Sequence, residues 1–137
     1  MNGLIKYFII VGIIYMFIGV LIGGMISGGK LSLYSHTEEG HWLEAEHAFI
    51  TNVGFVSFIL FGLLYYVVPL ISNRELYSLK LAKYSFILLN IGLILMIVFT
   101  AVKGLSNVSY ASTFNMLGGI ILTLGYLIFG YNLLRSF

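Results

Sequence analysis

Four apolar runs, each long enough to cross a bilayer, constrain this chain more than any other feature of its sequence. They lie at about 4–26, 46–71, 80–102 and 111–134. At about 1.5 Å of rise per residue, each covers roughly 33 Å or more as a helix, enough for a hydrocarbon core of about 30 Å. In lipid, only helices and closed barrels satisfy their own backbone groups, and runs of this length read as helices. The expectation is an all-α integral membrane four-helix bundle, forming one domain over residues 1–137. Composition agrees. Apolar residues make up 60 % of the chain and charged residues only 9 %, against about 25 % charged in soluble domains. The first run is too long for the apolar core of a signal peptide, and it ends in Gly28-Gly29-Lys30 with no small-residue cleavage pattern, so it reads as a span.

Basic residues set the expected orientation. Lys6 opens the first span, Arg74, Lys80 and Lys83 flank the connection between the second and third, and Arg135 follows the fourth. The 27–45 loop holds Lys30 but is followed and filled by Glu38, Glu39, Glu44 and Glu46, and the last loop has only Lys103. Both termini are therefore expected in the cytoplasm, with His36, His41 and His47 on the outer side. A multi-pass protein of the inner (plasma) membrane of a prokaryote fits this reading. The absence of cysteine excludes disulfides, thiolate metal sites and covalent heme attachment. A net charge of +2 with no basic cluster speaks against nucleic acid as a partner.

Gly19 and Gly23 form a G-x-x-x-G pair in the first span, and Gly118, Gly119, Gly125 and Gly130 punctuate the fourth. Small residues let helices approach closely, or leave room for a flat ligand; taken singly, each reads as ordinary packing. Trp42, Tyr65, Tyr66, Tyr110, Tyr131 and Phe137 fall near span ends, where interfacial belts of aromatics are expected, and Pro69 is expected to end the second helix. Thr51, Asn52, Ser57, Asn90, Thr100, Asn115 and Thr123 lie within the spans and are expected to face other helices. None is acidic or basic, which argues against a channel or an autonomous transporter.

Imidazole and methionine are the soft ligands this chain offers. His41 and His47 are about 600° apart on a helix, so they point about 120° away from each other. Glu44 lies three residues before His47 on the same face and could fix its tautomer. A non-heme metal site from His41, Glu44, Glu46 and His47 has no motif behind it. His36 and His41 read as residues of a wet loop. For His47, the residues alone leave an interfacial histidine and an inward-facing ligand equally open.

Three stretches carry more information: HAFITNVGF at 47–55, FGLLYYVVP at 61–69 and RELYSLKLA at 74–82, with FIGVLIGG at 17–24 in support. Together they resemble the early helices of subunit I of the heme–copper oxidase superfamily, the nitric oxide reductases and C-type oxidases most of all. The resemblance covers about residues 7–100 and is strongest over 47–83. In that family the histidine opening the second helix is an axial ligand of the low-spin heme, and His47 falls on it. The family's Thr-Asn directly follows that histidine, whereas Thr51-Asn52 come four residues later here. The helices that bear the copper ligands have no counterpart, so no copper is expected.

The resemblance implies a membrane-embedded protein holding heme b non-covalently, similar to one four-helix arc of the larger subunit, for electron transfer or for binding a diatomic gas. His47 would hold the heme iron, with Glu44 orienting it. His41, His36 and Met116 are the candidate sixth ligands, and Gly19 and Gly23 would make room for the macrocycle. A homo-oligomer, a trimer before a dimer, would build the site between copies in contact with membrane lipid and a redox partner. The alternative is a non-heme accessory subunit of a larger respiratory membrane complex.

Overall fold

The computed structural model describes residues 2–28, 41–106 and 108–137. Four helices carry the fold: α1 (Asn2–Ser27), α2 (41–72), α3 (Leu79–Ser106) and α4 (Ser109–Leu134). All four are long and apolar enough to cross a membrane. Each begins before the apolar run that announced it, and the first three also end after it, because helical hydrogen bonding continues through polar residues at headgroup depth. The chain threads up and down, so the termini and the 73–78 turn share one end, the terminal end. The last turn of α1, the first turn of α2, the end of α3 and the start of α4 share the distal end.

α2 is not uniform. It is α-helical over His41–Phe49, widens to a π-helix over Ile50–Val56, and returns to α over Ser57–Ser72. The Ser57 N–H donates to the carbonyl of Asn52, and Ser57 Oγ donates to the same carbonyl at 3.1 Å. This is the five-residue bonding that defines a π turn. The consequence is a change of register. Glu46, Ile50, Gly54 and Phe58 are all buried, although in a straight α-helix Glu46 and Phe58 would have drifted about 120° apart. The wider turn absorbs that drift and keeps both ends of the stripe facing the bundle.

Pro69 does not end α2. The helix runs on to Ser72 and stops at Asn73, which takes the left-handed conformation (φ 51°). The N–H groups of Asn73 and Arg74 both reach the carbonyl of Pro69. Asn is among the few residues other than glycine that tolerate this geometry, and the paired bonds close the helix end.

Packing groups the helices in two pairs. α1 lies along α2, and α3 along α4. In the second pair the backbones nearly touch. A Cβ added to Gly92 would stand 2.5 Å from Leu122 N and 2.8 Å from the Gly118 carbonyl. One added to Gly125 would be 3.0 Å from Leu89 N. Between the pairs runs a seam of aromatic rings. Phe8 of α1 meets Phe86 of α3 edge-on at 4.9 Å, and Phe61 of α2 stacks on Phe129 of α4 at 3.7 Å. Tyr65 belongs to this seam rather than to an interfacial belt: it is buried, with its hydroxyl 3.2 Å from Ser85 Oγ. Trp42 also turns inward, its indole lying over Gly104 of α3. Tyr66, Tyr110, Tyr131 and Phe137 do face outward.

At the terminal end, Asn132 serves as a clasp that the sequence did not announce. It is fully buried, accepts from Ser78 N at 3.0 Å and donates to Ser78 O at 3.0 Å. Ser136 Oγ donates to Asn132 O and accepts from Tyr77 N. The α2–α3 turn is thereby fastened to the end of α4.

These approaches predict an asymmetry between neighbouring glycines of one helix pair. Gly92→Ala should lower the unfolding free energy by roughly 1–3 kcal/mol, because backbone cannot move aside. Gly119→Ala should leave it nearly unchanged, since the nearest atom to a Cβ there is Met96 Sδ at 3.8 Å. Thermal unfolding of the detergent-purified variants checks both.

Candidate functional site at the distal end of α2

The first turns of α2 place His47 and Thr51 against α1 and Glu46 against α3. Ordinary helical spacing sends His47 toward α1 and Glu46 toward α3, one residue apart and so about 100° around the axis. His47 lies against the G-x-x-x-G surface of α1. Its Nδ1 is 2.9 Å from the carbonyl oxygen of Gly19. A carbonyl only accepts, so Nδ1 carries the proton and donates. That leaves the lone pair on Nε2, to which no described residue makes a hydrogen bond. Beneath the ring is Gly23, where an added Cβ would come within 2.6 Å of His47 Cε1. One turn along, a Cβ on Gly19 would be 2.7 Å from Thr51 Oγ1.

Gly19 and Gly23 therefore do not leave a gap for a macrocycle. Their surface is filled by Thr51 and His47 of α2, and what they provide is a seat that fixes the imidazole. Glu44 does not set the tautomer either. The Nδ1 proton is taken by the Gly19 carbonyl, and Glu44 lies on the exposed side of α2.

Glu46 corrects the expectation of a core without charge. It is only 5 % exposed. The Thr100 hydroxyl of α3 faces its carboxyl group, and Asn115 of α4 donates to that hydroxyl. Glu46, Thr100 and Asn115 thus bring polar groups of α2, α3 and α4 together. Glu46 Oε2 and Thr51 Oγ1 are buried without a hydrogen-bond partner; Thr51 lies one turn from His47 on the same α1-facing surface, whereas Glu46 faces α3. A sequence signal for Glu46 did exist: it continues the every-fourth-residue stripe of Ile50, Gly54 and Phe58. Nothing in the sequence marked the Thr100–Asn115 partnership, which depends on how α3 and α4 meet.

The remaining candidates are not brought together with His47. Met116 is exposed and lines a groove between α3 and α4 with Met96, Gly119 and Thr123. His41 opens α2, but its side chain, like all of His36, lies outside the described residues. Among the described residues no group of three His, Cys, Asp or Glu side chains could hold a metal ion. With Glu46 on α3 and His47 on α1, these two residues of the four-residue non-heme site diverge. As a seat for heme, the residues fit on one face: a single imidazole, anchored through Nδ1 and presenting Nε2. That is the arrangement metal-ligating histidines adopt, with the second nitrogen bonded to a carbonyl or carboxylate.

The family model for cytochrome c and quinol oxidase polypeptide I matches residues 2–134, all four helices. No curated protein matches. No solved structure matches.

The seat under His47 predicts that Gly23→Ala displaces the ring and breaks its bond to Gly19. Unfolding free energy should fall by roughly 1–3 kcal/mol, and the fixed Nδ1–H tautomer should be lost from the 15N histidine spectrum. Gly24→Ala, where a Cβ would meet nothing within 4 Å, should change neither.

Proposed function

We propose, from the premise that this chain belongs to the cytochrome c and quinol oxidase polypeptide I family, that it is a membrane-embedded b-type heme protein working in electron transfer. The observation that carries the reading is the 2.9 Å bond from His47 Nδ1 to the Gly19 carbonyl, which commits Nε2 to act as a Lewis base. When bound, the heme supplies a one-electron iron couple whose potential follows its axial ligands and its surroundings.

The chain's own residues do the rest. The Gly19 carbonyl holds the imidazole in one tautomer and raises its basicity. Gly23 keeps the ring from rotating by closing the space beneath it. The π segment after Phe49 turns the stripe bearing Glu46 and Ile50 back into the bundle, which sets the direction in which His47 leaves the helix. Thr51 Oγ1 and Glu46 Oε2, buried and unpartnered, supply a hydroxyl one turn from the ligand and a carboxyl group on the neighbouring, α3-facing side of the helix. The aromatic seam beyond them keeps water from the bundle interior.

A second donor to the iron would come from outside this chain's described residues. A closed ring of copies, a trimer before a dimer, would hold the heme between neighbours, and closed cyclic symmetry is the usual form of homo-oligomers. The setting is the inner membrane of a prokaryote.

Expressed with a heme precursor and purified in detergent, the protein should show a Soret band and reducible α and β bands. His47→Ala should abolish them while leaving a monodisperse helical protein. A well-folded, colourless wild type that co-purifies with an obligate partner would overturn this reading in favour of an accessory subunit. A ring of copies should hold one heme per chain, whereas one heme per two chains means a dimer sharing it. Carbon monoxide should not shift the reduced spectrum if both axial positions are filled; a shift would indicate gas binding instead.

A further inference from the structure

α1 and α3 belong to different helix pairs and meet at the Phe8–Phe86 contact and where the Tyr15 hydroxyl donates to Asn90 Oδ1 at 3.3 Å. Toward the terminal end they separate, leaving a trough of about 470 Å³ lined by Gly3, Leu4, Tyr7, Leu79, Lys83 and Phe86. The walls are apolar, and among the described residues the one charged side chain lining them is the exposed Lys83. On the other side of α1 a second trough of about 350 Å³ repeats the plan, with apolar walls, Lys6 and Tyr66. Among the described residues no carboxylate lines either trough. The surrounding end reinforces the sign: Lys6, Arg74, Lys80, Lys83 and Arg135 are five of the seven basic residues, while Glu75 is the one acidic residue there out of five.

An apolar trough inside a membrane span, open to lipid and ending in an ammonium with no opposing carboxylate, matches an amphiphile with an anionic head. We infer that the trough between α1 and α3 is a binding site for one acidic phospholipid, with an acyl chain along Leu4, Phe86 and Ile87 and the phosphate on Lys83. A lysine suits this role, because its long stem packs on apolar surface while its charge reaches headgroup depth. The site is independent of any heme, lying at the opposite end of the bundle from His47.

The test is native mass spectrometry of the full chain, delipidated in detergent and titrated with dioleoylphosphatidylglycerol or dioleoylphosphatidylcholine. The phosphatidylglycerol adduct should be favoured about fivefold, the scale of one cation near an anionic headgroup. Lys83→Gln should remove that preference and leave phosphatidylcholine binding unchanged. Arg135→Gln, at the same end but outside the trough, should leave both unchanged. Ile87→Trp should fill the trough and weaken both lipids; if that variant does not elute as a folded species, Lys83→Gln decides alone. Equal retention of the two lipids would overturn the site. So would equal losses in Lys83→Gln and Arg135→Gln, which mean diffuse attraction. Displacement of phosphatidylglycerol by an equimolar neutral quinone would also overturn it, by assigning the trough to a different ligand.

Discussion

In a bilayer the hydrophobic effect does not press helices together, since lipid tails are as apolar as the side chains they would replace. What holds this bundle is close backbone approach at glycines, and everything else is arranged around it. Gly92, Gly118 and Gly125 bring α3 and α4 into near-contact. Gly12, Gly19 and Gly23 do the same for α1 and α2, against Ile59, Thr51 and His47. The two tight pairs are then joined by rings whose edge-on and stacked contacts tolerate the wider spacing. The candidate site arises from this division. His47 lies inside one tight pair, so its orientation is fixed by backbone, while Glu46 looks across to the other pair, where side chains alone meet it.

Much of the fold could be read from the sequence, because span length and lipid chemistry leave few choices. The four runs predicted four membrane-crossing helices, and the resemblance around 47–55, 61–69 and 74–82 predicted the family to which the chain belongs. Where the sequence reading failed, it failed for a common reason. Depth along a helix is visible in sequence, but direction around its axis is not. Glu46 was placed with the wet loop by its charge and its position near a span end, yet it faces Thr100. Tyr65 and Trp42 were assigned to interfacial belts by depth, yet both point inward. Gly19 and Gly23 were recognised as a close-approach surface, but whether a ligand or a neighbouring helix would fill it depended on the azimuth of α2. Asn132 sits within a few residues of a helix end and carries no pattern. Its role exists only because the 73–78 turn folds back over α4.

The polar residues divide by the kind of satisfaction they find. Asn132, Ser78 and Ser136 close on one another, giving a structural clasp in which every side-chain group has a partner. At the distal end, the hydrogen bonds of Glu46 and Thr51 are incomplete, and two buried oxygens have none. Buried polar groups without partners carry a free-energy cost, and native structures hold few of them. Their concentration in the first turns of α2 separates that end from the rest of the bundle, independently of the family relationship.

The π segment gives α2 two independent rotational phases. The terminal half is keyed by Phe58, Phe61 and Tyr65 to the aromatic rings, and the distal half by Glu46 and His47 to α3 and α1. Removing one residue from 50–56 would restore an unbroken α-helix without moving the rings, and would swing the distal half about 100° relative to them. The surplus residue thus works as a vernier: it lets a single rod satisfy two sets of neighbours whose angular settings do not agree.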